Sequence, residues 1–147
     1  APGRATPEAF FRLGHETIPA QGILAAGVPG AFGAIIEAMV RFGTLRLADI
    51  SARAIELAES GFPAHAGLIR QHRSGIAANI EQFRQWPGTA SVYLANGDVP
   101  EEGMLIRNPA LAQMYGHLVQ AERKGGGDRR AGLKAAFAEF LRGDIAA

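Results

Sequence analysis

The first residues that could do chemistry are the glycines of residues 27–33, Gly-Val-Pro-Gly-Ala-Phe-Gly. A glycine-rich turn between a strand and a helix can bind phosphate, because its backbone N–H groups face the anion. Here the spacing is Gly-x-x-Gly-x-x-Gly rather than Gly-x-Gly-x-x-Gly, and Pro29 removes one N–H donor. We interpret the segment as a packing turn that requires glycine at Gly30, and not as a nucleotide site.

Four histidines are candidates for metal ligands or catalytic bases. His65 and His72 could share a helix face, but neither has an Asp or Glu three or four residues away to complete a ligand set. The other two are His15 and His117. Thr17 could act as a nucleophile with His15 as its base, but residues so close in sequence on an irregular segment seldom point at one another. The pattern favours structural histidines and predicts no metal site.

Charged residues cluster at two places. Glu101 and Glu102 could form an acid and base pair, but adjacent carboxylates in a predicted loop are usually both solvated. A basic cluster surrounds the glycines at 125–127 and lacks the interleaved aromatic side chains that stack on nucleic acid bases. Its members are Arg123, Lys124, Arg129 and Arg130. We interpret residues 123–128 as a flexible linker between two helices.

Composition narrows the class of protein. The chain has 147 residues, enough for one domain, and 48% of them are hydrophobic but only 7% aromatic, so alanine supplies much of the apolar material. The formal net charge of +1 creates no field for nucleic acid or an anionic membrane, and neither is expected as a partner. Absence of cysteine excludes disulfides and thiolate metal sites. The sequence stops in the middle of its pattern at residues 143–147, so we expect the chain to be a fragment of a longer protein.

Periodicity and helix caps predict a mainly helical chain with one or two short strands. Thr6, Asn108 and Asp128 are predicted N-caps, the first two followed by Pro at the first helical position. The predicted helices are residues 7–13, a helix that contains Phe32 to Val40 with a left-handed Gly43 after it, 47–60, 64–85 with a breaking point near Gly75, one that Asn108 and Pro109 open and that runs to about residue 122, and a last one after Asp128. Predicted strands cover 23–28 and 91–95, and residues 96–98 form a tight turn.

The predicted strand at 23–28 has no obvious neighbour within the chain. An uncovered apolar strand invites another chain, since its N–H and C=O groups are unpaired. We therefore expect self-association or a partner chain.

Several segments, taken in order, resemble the γ-glutamyltransferase family, also called γ-glutamyl transpeptidase or glutathione hydrolase. One departure is Arg53, where the family usually has proline. The segments that carry the resemblance are Gly-Ile-Leu-Ala-Ala-Gly-Val-Pro-Gly at 22–30, Phe-Gly-Thr-Leu at 42–45, Ala-Ile-Glu-Leu-Ala at 54–58, Gly-Phe-Pro at 61–63, Val-Tyr-Leu at 92–94, Asn-Pro-Ala-Leu-Ala at 108–112 and Phe-Leu-Arg-Gly-Asp-Ile-Ala at 140–146.

The resemblance implies that residues 1–147 are one segment, the central part of the large subunit of an αββα N-terminal-nucleophile hydrolase. Such enzymes transfer or hydrolyse γ-glutamyl groups of glutathione-like donors through a Thr at the start of the small subunit, and no Thr junction of that kind occurs here. The arginine that holds the substrate α-carboxylate would precede Ala1 and Pro2.

No functional residue is therefore carried over by resemblance, whether catalytic, cofactor-binding or metal-binding, and no cofactor is implied. The implied partner is the remainder of the enzyme with its small subunit, and the chain alone is expected to be inactive. The alternative is a free-standing helical interaction module without catalysis. The family's bacterial members are often periplasmic or secreted, which leaves the compartment of this chain open.

Overall fold

A computed structural model describes residues 3–20, 22–72, 74–94 and 96–145. The described chain is mainly helical, which confirms the prediction. The helices are α1 (Pro7–Arg12), α2 (Ala31–Phe42), α3 (Leu47–Ser60), α4 (Ala66–Arg70), α5 (Ile80–Gln85), α6 (Pro87–Tyr93), α7 (Pro109–Lys124) and α8 (Arg129–Arg142). Single 3-10 turns cover Ile23–Ala25 and Ala77–Asn79, and two strands cover β1 (Phe62–Pro63) and β2 (Leu105–Ile106).

Side-chain caps fix the starts of three helices where the sequence places them. Thr6, Asn108 and Asp128 each accept a hydrogen bond from the N–H of the third residue of the following helix, over 3.3, 3.0 and 2.8 Å respectively. Each bond satisfies a donor that has no partner within the helix. All three predicted caps are confirmed.

The main core lies among four helices. Helix α7 packs against both α8 and α3, and α2 packs against α8. Phe32 of α2 and Phe140 of α8 extend this contact with ring centroids 4.8 Å apart. The buried members of the core are Ile36, Met39, Leu47, Leu118, Val119, Leu133 and Ala136.

Residues 62–106 form an excursion between α3 and α7 that is closed by a strand pair. The chain leaves α3 at Gly61, whose φ of 93° favours glycine, and enters β1. β1 and β2 are antiparallel, with Phe62 opposite Ile106. A second, smaller core under this pair contains Ala64, Ile69 and Ile106. The excursion therefore has its own apolar centre, and the strand pair holds its two ends together.

Both predicted strands are wrong. Residues 23–28 form a 3-10 turn followed by extended chain, and every one of them is exposed. Ser91 and Tyr93 lie in α6, while Ala95 is outside the described residues. Proline suits the first position of a helix, so Pro87 starts α6 as well as ending α5. The real strands were missed because two residues are too few to show alternation.

The predicted long helix at 64–85 is divided into α4, a 3-10 turn and α5. Gly75 forms the break, where its N–H donates to the carbonyl of Gln71 over 2.8 Å. Gly43 is also different from the prediction, because its φ of −81° and ψ of 157° are extended rather than left-handed. The tight turn at 96–98 is confirmed, with positive φ at Asn96 and Gly97.

Candidate functional site

The glycine segment at 27–33 does not form a cradle for an anion. Gly30 has φ −93° and ψ −18°, which any residue adopts, and a Cβ added there would meet no heavy atom within 4 Å. The prediction that this turn requires Gly30 is wrong. A Cβ on Gly33 would instead lie 2.9 Å from the ring of Phe137, so this third glycine is the one that packs.

The four histidines occupy structural or solvent-facing positions. His65 is the N-cap of α4, where its Nδ1 accepts a hydrogen bond from the N–H of Leu68 over 3.2 Å. His72 and His117 are exposed, and His15 is half-buried. Within the part of the chain that the structure describes, no group of three or more His, Cys, Asp or Glu residues could hold a metal ion.

The other sequence candidates do not converge either. No hydrogen bond joins His15 to Thr17 among the described residues, and Thr17 is exposed. Glu101 is exposed beside Glu102, which forms a surface ion pair with Arg70 at 3.5 Å. Such exposed pairs neither exclude water nor align a reacting group. These residues therefore do not build an acid and base site.

The basic cluster is dispersed by the structure. Arg129 donates to the backbone carbonyls of Met39 at 3.0 Å and Leu45 at 3.3 Å, and so ties the start of α8 to the α2–α3 corner. The remaining members, Arg123, Lys124 and Arg130, are exposed. Because Arg129 is engaged with backbone carbonyls, the cluster does not present four convergent cations to an anion.

Glu122 is a charged residue that the sequence reasoning missed. Only 2% of it is exposed, and its carboxylate accepts hydrogen bonds from the N–H groups of Leu47 at 3.0 Å and Ala48 at 3.4 Å. These donors belong to the first turn of α3, where the helix dipole also favours negative charge. Its position in the sequence could have revealed it, because Glu122 follows the buried Leu118 by one helical turn and so lies on the same face of α7.

Close packing holds Glu122 in place. A Cβ on Gly132 of α8 would lie 2.7 Å from the Glu122 carbonyl oxygen and 3.1 Å from its Cγ. No buried side-chain N or O atom among the described residues lacks a hydrogen-bond partner. The arrangement is that of a tertiary helix cap, with the carboxylate fully engaged by backbone donors.

An open groove of about 440 Å³ lies beside the α7–α8 pair. Its ionisable lining residues are His117, Lys124, Glu139 and Asp144, and Glu139 also accepts the N–H of Asp144 over 3.2 Å. The described residues that line the groove include no Ser, Thr or Cys. The groove therefore has acids and bases but no hydroxyl or thiol nucleophile.

Two carboxyl groups have clearly shifted pKa values, and both lie at helix starts. The N–H of Ala131 donates to Asp128 and holds its pKa below the ordinary value. The pKa of Glu8 is lowered chiefly by its own backbone N–H and further by Thr6. Both groups are exposed, so the shifts indicate helix capping rather than catalysis.

The chain is similar to a known family and to several of its relatives. The family model described as Gamma-glutamyltranspeptidase matches residues 1–147. Acylase ACY 1 proenzyme of Pseudomonas sp. (strain SE83) is 36% identical over 116 residues, which are 72% of this chain and 20% of the relative. Glutathione hydrolase 3 of Arabidopsis thaliana is 35% identical over 92 residues, 63% of this chain and 14% of the relative.

Solved structures of LmbA2991 have a TM-score of 0.87 and 36% identity, covering 99% of this chain and 24% of theirs. The chain thus spans a fifth or less of the length of these two curated relatives. The segments at 1–2 and 146–147, which include Ala1, Pro2 and Ala146 of the sequence motifs, lie outside the described residues.

Proposed function

Because the chain belongs to the γ-glutamyltranspeptidase family, we propose that it is the central, structural part of the large subunit of such an enzyme. The whole enzyme would transfer or hydrolyse γ-glutamyl groups of glutathione-like donors. The observation that carries the proposal is that the family model matches all 147 residues, while the part matched to a 36% identical relative makes up only 20% of that relative.

Acyl transfer requires an activated nucleophile, a base within hydrogen-bond reach and donors directed at the developing oxyanion. Thr6 is already engaged as a helix cap, and Thr17 is exposed without a hydrogen bond to His15. These contacts support a nucleophile outside this chain, which the proposal assigns to the Thr that begins the small subunit. Loss of even one oxyanion donor costs about 100- to 1,000-fold in rate. The 147-residue chain alone is therefore proposed to be inactive.

The proposed contribution of this chain is a rigid support within an αββα hydrolase. Helices α2, α3, α7 and α8 share one core, and Glu122 and Arg129 add hydrogen bonds from α7 and α8 to the α2–α3 region. A support of this kind would hold neighbouring polypeptide in a fixed position without touching the substrate. Its partner would be the remainder of the enzyme, including the small subunit.

The names of the relatives describe two different reactions. One is called a glutathione hydrolase and another an acylase. We favour γ-glutamyl donors because the family description names them. An alternative function is a free-standing helical interaction module without catalysis, which is favoured by the dispersal of His15, Thr17, Glu101 and the basic cluster.

The test begins with the intact mass of the native protein, followed by an assay with a chromogenic γ-glutamyl anilide with and without an acceptor dipeptide. We expect a native polypeptide longer than 147 residues that turns over the anilide, and no turnover by the isolated chain. A native protein of 147 residues without activity would favour the interaction module. Turnover by the isolated chain that disappears in Thr17→Ala would refute the proposed absence of a catalytic site.

A further inference from the structure

The segment before α2 has no core of its own. We call residues 3–20 and 22–30 the N-terminal arm; none of its described residues is buried. Five of its large apolar side chains are between 56% and 87% exposed. They are Phe11, Leu13, Ile18, Ile23 and Val28. Leu13 and Ile23 line one cavity, and Phe11 and Ile18 line another. Exposed apolar side chains that lie together mark a surface that another body covers.

The composition of the arm is that of a buried segment. Residues 17–36, which run from the arm into the start of α2, form a stretch of 20 that contains no Asp, Glu, Lys, Arg or His. Chain segments that remain in water are normally rich in charge. The N–H groups of Gly27 and Val28 also donate no hydrogen bond to any other described residue. Within the arm, the exposed side chains of Ile23 and Val28 and the N–H groups of Gly27 and Val28 are therefore free to contact another chain.

A lipid bilayer is a poor match for this surface. Among the described residues, every helix falls short of the length and apolar character that a bilayer-spanning helix needs. The uncharged stretch also contains Pro19 and Pro29 and four glycines, which interrupt helices. In hydrocarbon the non-helical backbone groups would have no partners. A polypeptide can supply such partners.

The arm has a concave, mostly apolar site that an apolar side chain could enter. A cavity of about 220 Å³ lies between α1 and the 3-10 turn at Ile23–Ala25. Its apolar lining includes Ala9, Phe10, Leu13, Ile23 and Leu24. Among the described residues that line it, Arg4 is the one that carries a charge. The chemistry of this site fits an apolar, uncharged protein segment.

The comparisons indicate where that segment comes from. The LmbA2991 structures match 99% of this chain but only 24% of their own, so about three quarters of a homologous polypeptide lies outside the matched part. We infer that the N-terminal arm is a docking surface for the polypeptide that the family fold has outside this chain. This inference rests on the proposed function, which makes the chain one part of a longer enzyme.

Residues 1–147 contain no cysteine, so a thiol introduced at one of them is the only thiol in its own peptide. Ile23→Cys and Val28→Cys place a thiol on the arm. Arg53→Cys is the control on α3, since the Arg53 side chain is 69% exposed and charged. Alkylation by a neutral maleimide is followed by peptide-resolved mass spectrometry in the isolated chain and in the native enzyme. Hydrogen exchange of the unmodified protein over residues 22–30 is a second measurement that needs no variant.

We expect alkylation at both arm positions to be at least ten-fold slower in the native enzyme than in the isolated chain, with less than a two-fold change at the Arg53→Cys control. Equal rates at the arm, or equal protection at the control, would overturn the inference. Protection in the isolated chain that rises with its concentration would assign the surface to a second copy and would also overturn it.

The outcome is separable from that of the proposed function. A protected arm in a native enzyme that does not act on the γ-glutamyl anilide would reject the proposed activity and leave the docking surface standing. An active enzyme with an unprotected arm would support the proposed activity and reject the docking surface. A native polypeptide of only 147 residues would overturn both, because the proposed occupant would not exist.

Discussion

Glu122 offers the sharpest test of how this fold is held together. Its carboxylate accepts from the N–H groups of Leu47 and Ala48, and Leu47 is only 3% exposed. Glu122→Ala leaves both donors without this acceptor. A buried unsatisfied donor costs about 1–3 kcal/mol, and the lost charge at a helix start adds about 0.5–1 kcal/mol. Because Ala48 is only half-buried, we expect a total loss of about 2–4 kcal/mol.

Glu122→Gln separates charge from shape. The amide keeps one oxygen for the shorter bond to Leu47, but it loses the negative charge and turns an NH₂ group toward the N–H of Ala48. We expect a loss of about 1–2 kcal/mol, between the parent and the alanine variant. Gly132→Ala perturbs the same site from α8, because its Cβ would lie 2.7 Å from the Glu122 carbonyl oxygen. It should cost about 1–3 kcal/mol.

The measurement is the free energy of unfolding in urea followed by circular dichroism. Glu122→Ala should lower the melting temperature by roughly 5–15 °C. Amide exchange at Leu47 and Ala48 should become faster than elsewhere in α3. The control is Glu56→Gln, which removes only an exposed ion pair with Arg53 and should change stability by less than about 1 kcal/mol. If Glu122→Ala is as stable as this control, the carboxylate is not a tertiary cap and the reasoning fails.

Three further outcomes follow from the same structure. Gly75→Ala should destabilise the chain by about 1–3 kcal/mol, because its Cβ would lie 2.5–2.7 Å from backbone atoms. Gly116→Ala, within helix α7, meets no atom within 4 Å and should stabilise the chain by about 0.5–1 kcal/mol. Urea unfolding of both variants checks this contrast. An N–H donor holds the pKa of Asp128 below its ordinary value of 3.8, so the cap stabilises the fold above that pH and is lost as the pH falls through the lowered pKa. The melting temperature of Asp128→Ala should therefore approach that of the parent in acid. A constant difference between the two melting temperatures from pH 2 to pH 6 would contradict this reasoning. Leu133→Ala should cost about 2–5 kcal/mol since Leu133 is 0% exposed, and Leu141→Ala on the same helix should cost far less because Leu141 is 40% exposed; calorimetry showing equal losses would place the core elsewhere.

The sequence alone was sufficient for features that depend on near neighbours. The capped starts at Thr6, Asn108 and Asp128 each depend on a bond between residues three apart, and all three occur as predicted. The predicted bounds of α3, residues 47–60, are likewise those of the structure, and its end is the residue before Gly61. The family was recognised from the order of weak motifs, and the match over residues 1–147 confirms it.

Only the tertiary structure decided which faces are buried. Ile50 and Leu111 are apolar residues of α3 and α7, yet they are 45% and 37% exposed. Ser51 and Glu122 take buried places instead. A helix shows its own apolar stripe in the sequence, but the part of that stripe that loses water depends on which neighbouring helix covers it.

Long-range pairs could not be predicted for a related reason. The strands β1 and β2 are two residues each, and their partners are 44 residues apart at Phe62 and Ile106. The bond from Leu47 to Glu122 spans 75 residues. Such contacts form because folding brings distant polar groups together where water is excluded, and a buried backbone donor must then find an acceptor. Local sequence determines the helix ends, while the packing of α7 between α3 and α8 determines that Glu122 is this acceptor.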